Sequence, residues 1–170
     1  MKTKALVIVA GVVTAMIAMS AYAQSRSDNT QNFVKKAAVS NMFEIRSSEV
    51  ALDKAQRQDV QNFAQMMIDD HTKADEQLKS AVSSANLKIQ VPKTLDEKHQ
   101  EKVNELQQTE ADDFDEDYIE IQIDAHEKAV ALFQEYSENG ESDALRQFAS
   151  KTLPVLRQHE DRIKQLDEVE

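Results

Sequence analysis

Three histidines occupy positions that aliphatic residues would ordinarily take. His71 falls in the series Val60, Ala64, Met67, His71, Ala74, Leu78, Val82 and Ala85, whose steps of three and four trace one face of a helix. His126 stands likewise among Phe114, Tyr118, Ile119, Ile123, Val130 and Phe133, and His159 among Leu145, Phe148, Thr152, Leu156, Ile163 and Leu166. Imidazoles aimed into one seam from three helices can do two kinds of chemistry. They can ligate a transition metal, or they can stand neutral in a buried hydrogen-bond network. An unpaired buried group of this kind costs about 1–3 kcal/mol, so partners are required in either case.

For a metal, the first helix offers the remaining candidates, Glu44 or Glu49. Three imidazoles and a carboxylate suit Zn, Cu or Fe. Met67, one turn before His71, and Met42, near the same level, would tilt the choice toward copper, although Met also fills irregular core gaps. For a network, the partners would be Glu44, Glu49, Asp75, Gln122 or water. Carboxylate-bridged di-iron bundles instead carry Glu three residues before each His. Here Ile68, Ile123 and Leu156 hold those positions, which excludes that chemistry. Cysteine is missing, as are a Gly-rich phosphate loop, a nucleophile elbow and an HExxH pair, so no catalytic residue is assigned. His99 lies among Glu97, Lys98 and Glu101 and reads as a surface imidazole.

The elements that must position these groups are all helical. A first helix is expected over 31–55, with a stripe of Val34, Ala38, Met42, Ile45, Glu49 and Leu52, and a second over about 56–85 after a tight corner. Leu87–Val91, followed by Pro92, reads as an extended crossover with nothing to pair against. A short polar helix over 95–109, turned inward at Leu95, His99, Val103 and Leu106, should cap the bundle. A third long helix follows over 112–139. Its acidic first turns, Asp112, Asp113, Asp115, Glu116 and Asp117, suit the helix dipole. Asn139-Gly140 should end it through left-handed backbone, and Pro154 should kink the last helix or restart it. Val50-Ala51-Leu52 and Val130-Ala131-Leu132, each followed later by Phe-Ala, suggest two related helical hairpins. Four amphipathic helices with one long crossover fit the ferritin-like arrangement. Counted from the corners, His71 lies opposite Ser40 and His126 opposite Pro154. His159 is then off level by roughly 5 residues, about 7–8 Å at 1.5 Å per residue.

Residues 1–23 read as a secretory signal peptide. Lys2 and Lys4 precede the apolar run 5–19, and Ala21-Tyr22-Ala23 is a small-x-small cleavage site. Cleavage would leave Gln24 first, then a short disordered tether over 24–30 and a single domain over 31–170. The product is expected in the periplasm or outside the cell, with no stable membrane insertion. Losing Lys2 and Lys4 takes the formal charge from −11 to −13. Such an acidic chain repels phosphate backbones and anionic lipid, which argues against nucleic acid as a partner.

Asp69-Asp70-His71-Thr72-Lys73-Ala74, His126-Glu127-Lys128-Ala129-Val130-Ala131-Leu132-Phe133, and Phe148–Pro154 with His159 resemble the bacterial domain-of-unknown-function 4142 family. The resemblance runs from Phe33 to about Leu166. It implies export and a ferritin-like helical bundle, and it implies no activity. Two functions from different classes remain open. One is a periplasmic metal-binding bundle that uses His71, His126, His159 and Glu44 or Glu49. The other is a non-catalytic envelope interaction or stress-related protein whose histidines are structural.

Overall fold

The computed structural model describes residues 7–169, with side chains from Asp28 onward. Five helices follow one another: α1 (Val7–Lys54), α2 (Gln58–Ser84), α3 (Glu97–Gln108), α4 (Phe114–Asn139) and α5 (Asp143–Asp167). No strand occurs among the described residues, and none of their helices is long and apolar enough to cross a membrane. The expected leader lies outside the residues whose side chains are described. Over 24–30, where a disordered tether was expected, α1 continues as helix. Thr30 is already buried there and accepts a hydrogen bond from Tyr136.

Two antiparallel hairpins, α1 with α2 and α4 with α5, supply the most extensive helix contacts. They meet along α2 against α5 and α1 against α4, while α3 packs chiefly on α1. The segment 87–91 is neither helix nor strand, with Leu87, Ile89 and Val91 partly buried against the core and Lys88 and Gln90 exposed. α2 ends in a left-handed residue, Asn86 (φ 50°), and the Leu87 N–H reaches back to the Val82 carbonyl. Asn tolerates that conformation better than most side chains.

The helices are joined by capping that crosses between elements. Arg57 precedes α2 and offers no side-chain cap. Asp115 of α4 fills the role, accepting the N–H groups of Gln56 at 3.2 Å and of Arg57 at 2.8 Å. Lys54 closes the end of α3 by donating to the carbonyls of Gln107 and Thr109, and Asp96 caps the start of α3 through the His99 N–H at 3.0 Å. Gly140 is not left-handed, contrary to the expectation for the end of α4: its backbone is extended, at φ −63° and ψ 149°. Glycine is needed for space instead, because a Cβ would stand 2.4 Å from the Tyr136 carbonyl and 2.5 Å from its ring. Pro154 lies inside α5 without ending it.

The apolar core is in two pieces. One gathers Phe33, Leu78, Phe133, Leu145, Phe148 and their neighbours; the other gathers Val60, Met67, Phe114, Tyr118, Ile163 and theirs. On every long helix buried polar residues stand between the two pieces: Asn41, Glu44, Ser47 and Ser48 on α1, His71 on α2, Gln122 and His126 on α4, and His159 on α5, with Val39, Phe43 and Ala74 as the apolar residues buried among them. A buried polar layer thus crosses the middle of the molecule.

Candidate metal centre

Each histidine enters this layer because its helix presents it on the buried face. His71, His126 and His159 are 2%, 0% and 1% exposed. Their ring centroids stand 5.5–6.0 Å apart, and one ring nitrogen of each lies within 4.8 Å of the other two. The level mismatch expected at His159 does not keep the rings apart, and the general lean of helical side chains acts in the direction that closes it. Side chains lean toward the N-terminus of their own helix. In the antiparallel pair α4–α5, His126 therefore leans away from the Gly140 corner and His159 toward it. Bonds of about 2.0–2.1 Å in a tetrahedral site put ligand nitrogens roughly 3.3–3.5 Å apart, so these rings need to close by about 1 Å around an ion.

Every imidazole is anchored by one nitrogen and leaves the other bare. His71 donates from Nδ1 to Asn41 Oδ1 at 2.9 Å, His126 from Nδ1 to the Gln122 carbonyl at 2.8 Å, and His159 from Nε2 to the Asp70 carboxylate at 3.1 Å. His71 Nε2, His126 Nε2 and His159 Nδ1 are buried without a partner. An N–H fixed on a carbonyl, amide or carboxylate leaves the opposite lone pair free, as in the outer shell of protein metal sites. Burial holds all three rings neutral. It drives His71 far below the ordinary imidazole range, with the neighbouring His126 and His159 adding to it. His126 is lowered to about 4, its bond to Gln122 offsetting part of the burial, and His159 is lowered less because Asp70 supports its charged form.

Of the two carboxylates expected from α1, Glu44 is buried at 1% exposure and Glu49 is not brought to the site. Glu49 lies on the surface in a 2.8 Å ion pair with Arg46. Met42, Ile45 and Leu52 are also turned partly outward, so the inner face of α1 is rotated from the expected stripe. It runs Val34, Ala37, Ala38, Asn41, Glu44, Ser47, Ser48 and Ala51. Reading for apolar side chains misses it because half of it is polar. The signal was the continued three-and-four spacing through Asn41, Glu44 and Ser48.

Glu44 does not join the three-histidine cluster. Its carboxyl sits by Gln122, one turn of α4 from His126, and neither oxygen completes a hydrogen bond. Burial pushes it up to about 8, against the pull of the Gln122 amide and of Lys102. Gln122 also donates to Ser47 at 3.0 Å, and Ser48 pairs with the Tyr118 hydroxyl at 2.8 Å. Asp75, expected as a network partner, is instead paired with Lys79. Met67 is buried in the core, and His99 is half-buried, bonded to Asp96 and edge-on to Phe43. Among the described residues, the buried side-chain nitrogens and oxygens without partners are Asn41 Nδ2, Glu44 Oε1 and Oε2, Gln122 Oε1 and the three bare histidine nitrogens. All seven belong to this one layer.

The chain is similar in fold to a DUF305 fragment from Deinococcus radiodurans, whose crystal structure superposes with a TM-score of 0.69. The two share 12% identity over 81% of this chain and 94% of that one. At that identity the likeness concerns the fold. No curated protein matches the sequence. The profile of a family described as a domain of unknown function, DUF4142, matches residues 15–166. With the match covering nearly the whole chain, the His-bearing helices included, the protein belongs to the DUF4142 family.

Proposed function

We propose that this is an exported metal-binding helical bundle of ferritin-like arrangement. In it, one first-row transition ion is held by His71, His126 and His159. The long helices make two hairpins, and the crossover between α2 and α4 carries α3. One observation carries the reading: a ring nitrogen from each of three helices lies within 4.8 Å of the other two, and each ring is anchored through one nitrogen while its other nitrogen is buried without a partner. Buried polar atoms in folded proteins nearly always have a partner. A cation supplies partners to all three bare nitrogens at once, whereas a structural network would satisfy them singly. Three neutral nitrogen ligands suit Zn, Cu or Fe and leave a fourth position for a water. The N-terminal leader and the acidic charge agree with an envelope protein that meets hydrated cations.

The test is elemental analysis and thermal melting of the mature protein, with and without each divalent ion. One ion per chain is expected, with the melting midpoint raised. Ligand at 100 times Kd adds about 2.7 kcal/mol. Substituting all three histidines by Ala should abolish both effects. Metal content that is nil, or unchanged in that variant, would instead favour a non-catalytic envelope protein whose histidines are structural.

A further inference from the structure

The three imidazole anchors are not equivalent. Asn41 is 3% exposed and Gln122 is 0% exposed, while the Asp70 side chain is 41% exposed. Asp70 lies on α2 and His159 on α5, so their 3.1 Å bond spans the seam between these helices. Through that bond the His159 ring, a residue only 1% exposed, is one side chain away from bulk water. Solvent also approaches the layer on the opposite side, in a groove of about 630 Å³ between α1, α3 and α4, floored in part by Phe43 and Ala129. That groove is rimmed by Lys35, Lys36, Lys98, Lys102 and Lys128. Its carboxylates, Asp96, Asp124 and Glu135, are outnumbered by these lysines, and Asp124 is already held by Lys102 and Lys128 and Asp96 by His99. A divalent cation is repelled by such a rim and attracted by Asp70, whose carboxylate is bonded to the neutral His159 ring rather than to a lysine or arginine.

Resting on the metal-site reading, we infer that ions enter and leave between α2 and α5, captured first by Asp70 and passed inward by His159. Asp70 has two tasks in this route. Its charge draws the hydrated cation to the seam, and its hydrogen bond keeps the Nδ1 lone pair of His159 facing the other two imidazoles. When an ion engages the carboxylate, the His159 N–H loses its anchor and the ring is free to turn toward the ion. His71 and His126 are anchored on buried groups and stay in place as the receiving pair.

The experiment is stopped-flow uptake of Zn²⁺ by the metal-free full mature chain, followed by competition with a chromophoric chelator. It compares wild type with Asp70→Asn, Asp70→Ala and Asp124→Asn. Asn at position 70 keeps an acceptor for His159 and removes the charge. The expected result is unchanged stoichiometry in Asp70→Asn, with uptake slowed at least tenfold and its dependence on salt largely lost. Asp70→Ala should also weaken equilibrium affinity by about 10–100-fold, the usual effect of removing an outer-shell partner. Asp124→Asn should match wild type. Uptake unslowed in Asp70→Asn, or slowed in Asp124→Asn instead, overturns the entry route and leaves the metal site standing. Wild-type protein that takes up no Zn²⁺ overturns both, so the two failures are distinguishable.

Discussion

Glu44 and the histidines pull the stability of the metal-free protein in opposite directions with pH. Each histidine has a folded pKa below the unfolded 6.5, so the unfolded chain binds more protons as pH falls below 6.5, and stability drops there. Glu44 has its folded pKa raised from 4.5 to about 8. Its contribution is full below 4.5 and is lost as pH rises toward 8. Stability of the metal-free protein should therefore peak near pH 6.5 and fall on either side. Over the rise from 6.5 to 8 the Glu44 share of the loss is about 2 kcal/mol. Glu44→Gln should flatten this alkaline arm and leave the acid arm intact, as read by chemical denaturation across pH. An unchanged alkaline arm would mean that Glu44 is ionised in the fold.

The helices depend on two contacts that carry single-residue consequences. Asp115 takes the amide groups before α2, which no residue of α2 itself caps. Asp115→Ala should cost about 1 kcal/mol, the usual price of a lost cap, and hydrogen exchange should quicken at the start of α2 rather than in α4. Exchange that quickens in α4 instead would mean the acid serves only its own helix dipole. Gly140→Ala forces a methyl group against Tyr136, whose ring stacks on Phe33 at 3.8 Å and whose hydroxyl holds Thr30. Overpacking of this kind costs about 1–3 kcal/mol. The expected signature is a lower melting midpoint with loosened exchange at the start of the described part of α1. A neutral Gly140→Ala would show that the α4–α5 corner can shift to make room.

At the scale of the molecule, the polar layer dividing the apolar core is costly to folding on its own. Seven buried polar atoms lack partners there, and each such atom forgoes a hydrogen bond it would have in water. Replacing one anchored pair together, Asn41→Leu with His71→Leu, removes two of the bare atoms and joins the apolar pieces on one side. That double variant should be about 1–3 kcal/mol more stable than the metal-free parent. At roughly 2–4 °C per kcal/mol for chains of this size, its melting midpoint rises measurably. It should also no longer respond to added metal. A double variant less stable than the parent would show that the layer holds the helices in register rather than serving a ligand.

The fold class was legible from the sequence because amphipathic periodicity survives translation into helices without knowledge of neighbours. The inner faces of α2 and α5, the non-helical crossover at 87–91 and the inward histidines all follow from spacing alone. The family resemblance was readable for the same reason, since it rests on runs of residues within single helices. Tertiary structure decided what spacing cannot. It set the rotation of α1, whose inner face is half polar, and so sent Glu49 to the surface and Glu44 to the core. It brought the rings of His126 and His159 to within 5.6 Å of each other despite their unequal distances from the α4–α5 corner. It also chose Asn41, the Gln122 carbonyl and Asp70 as the three anchors. Two of those anchors join separate helices, and such pairings depend on packing distances that no local sequence window contains.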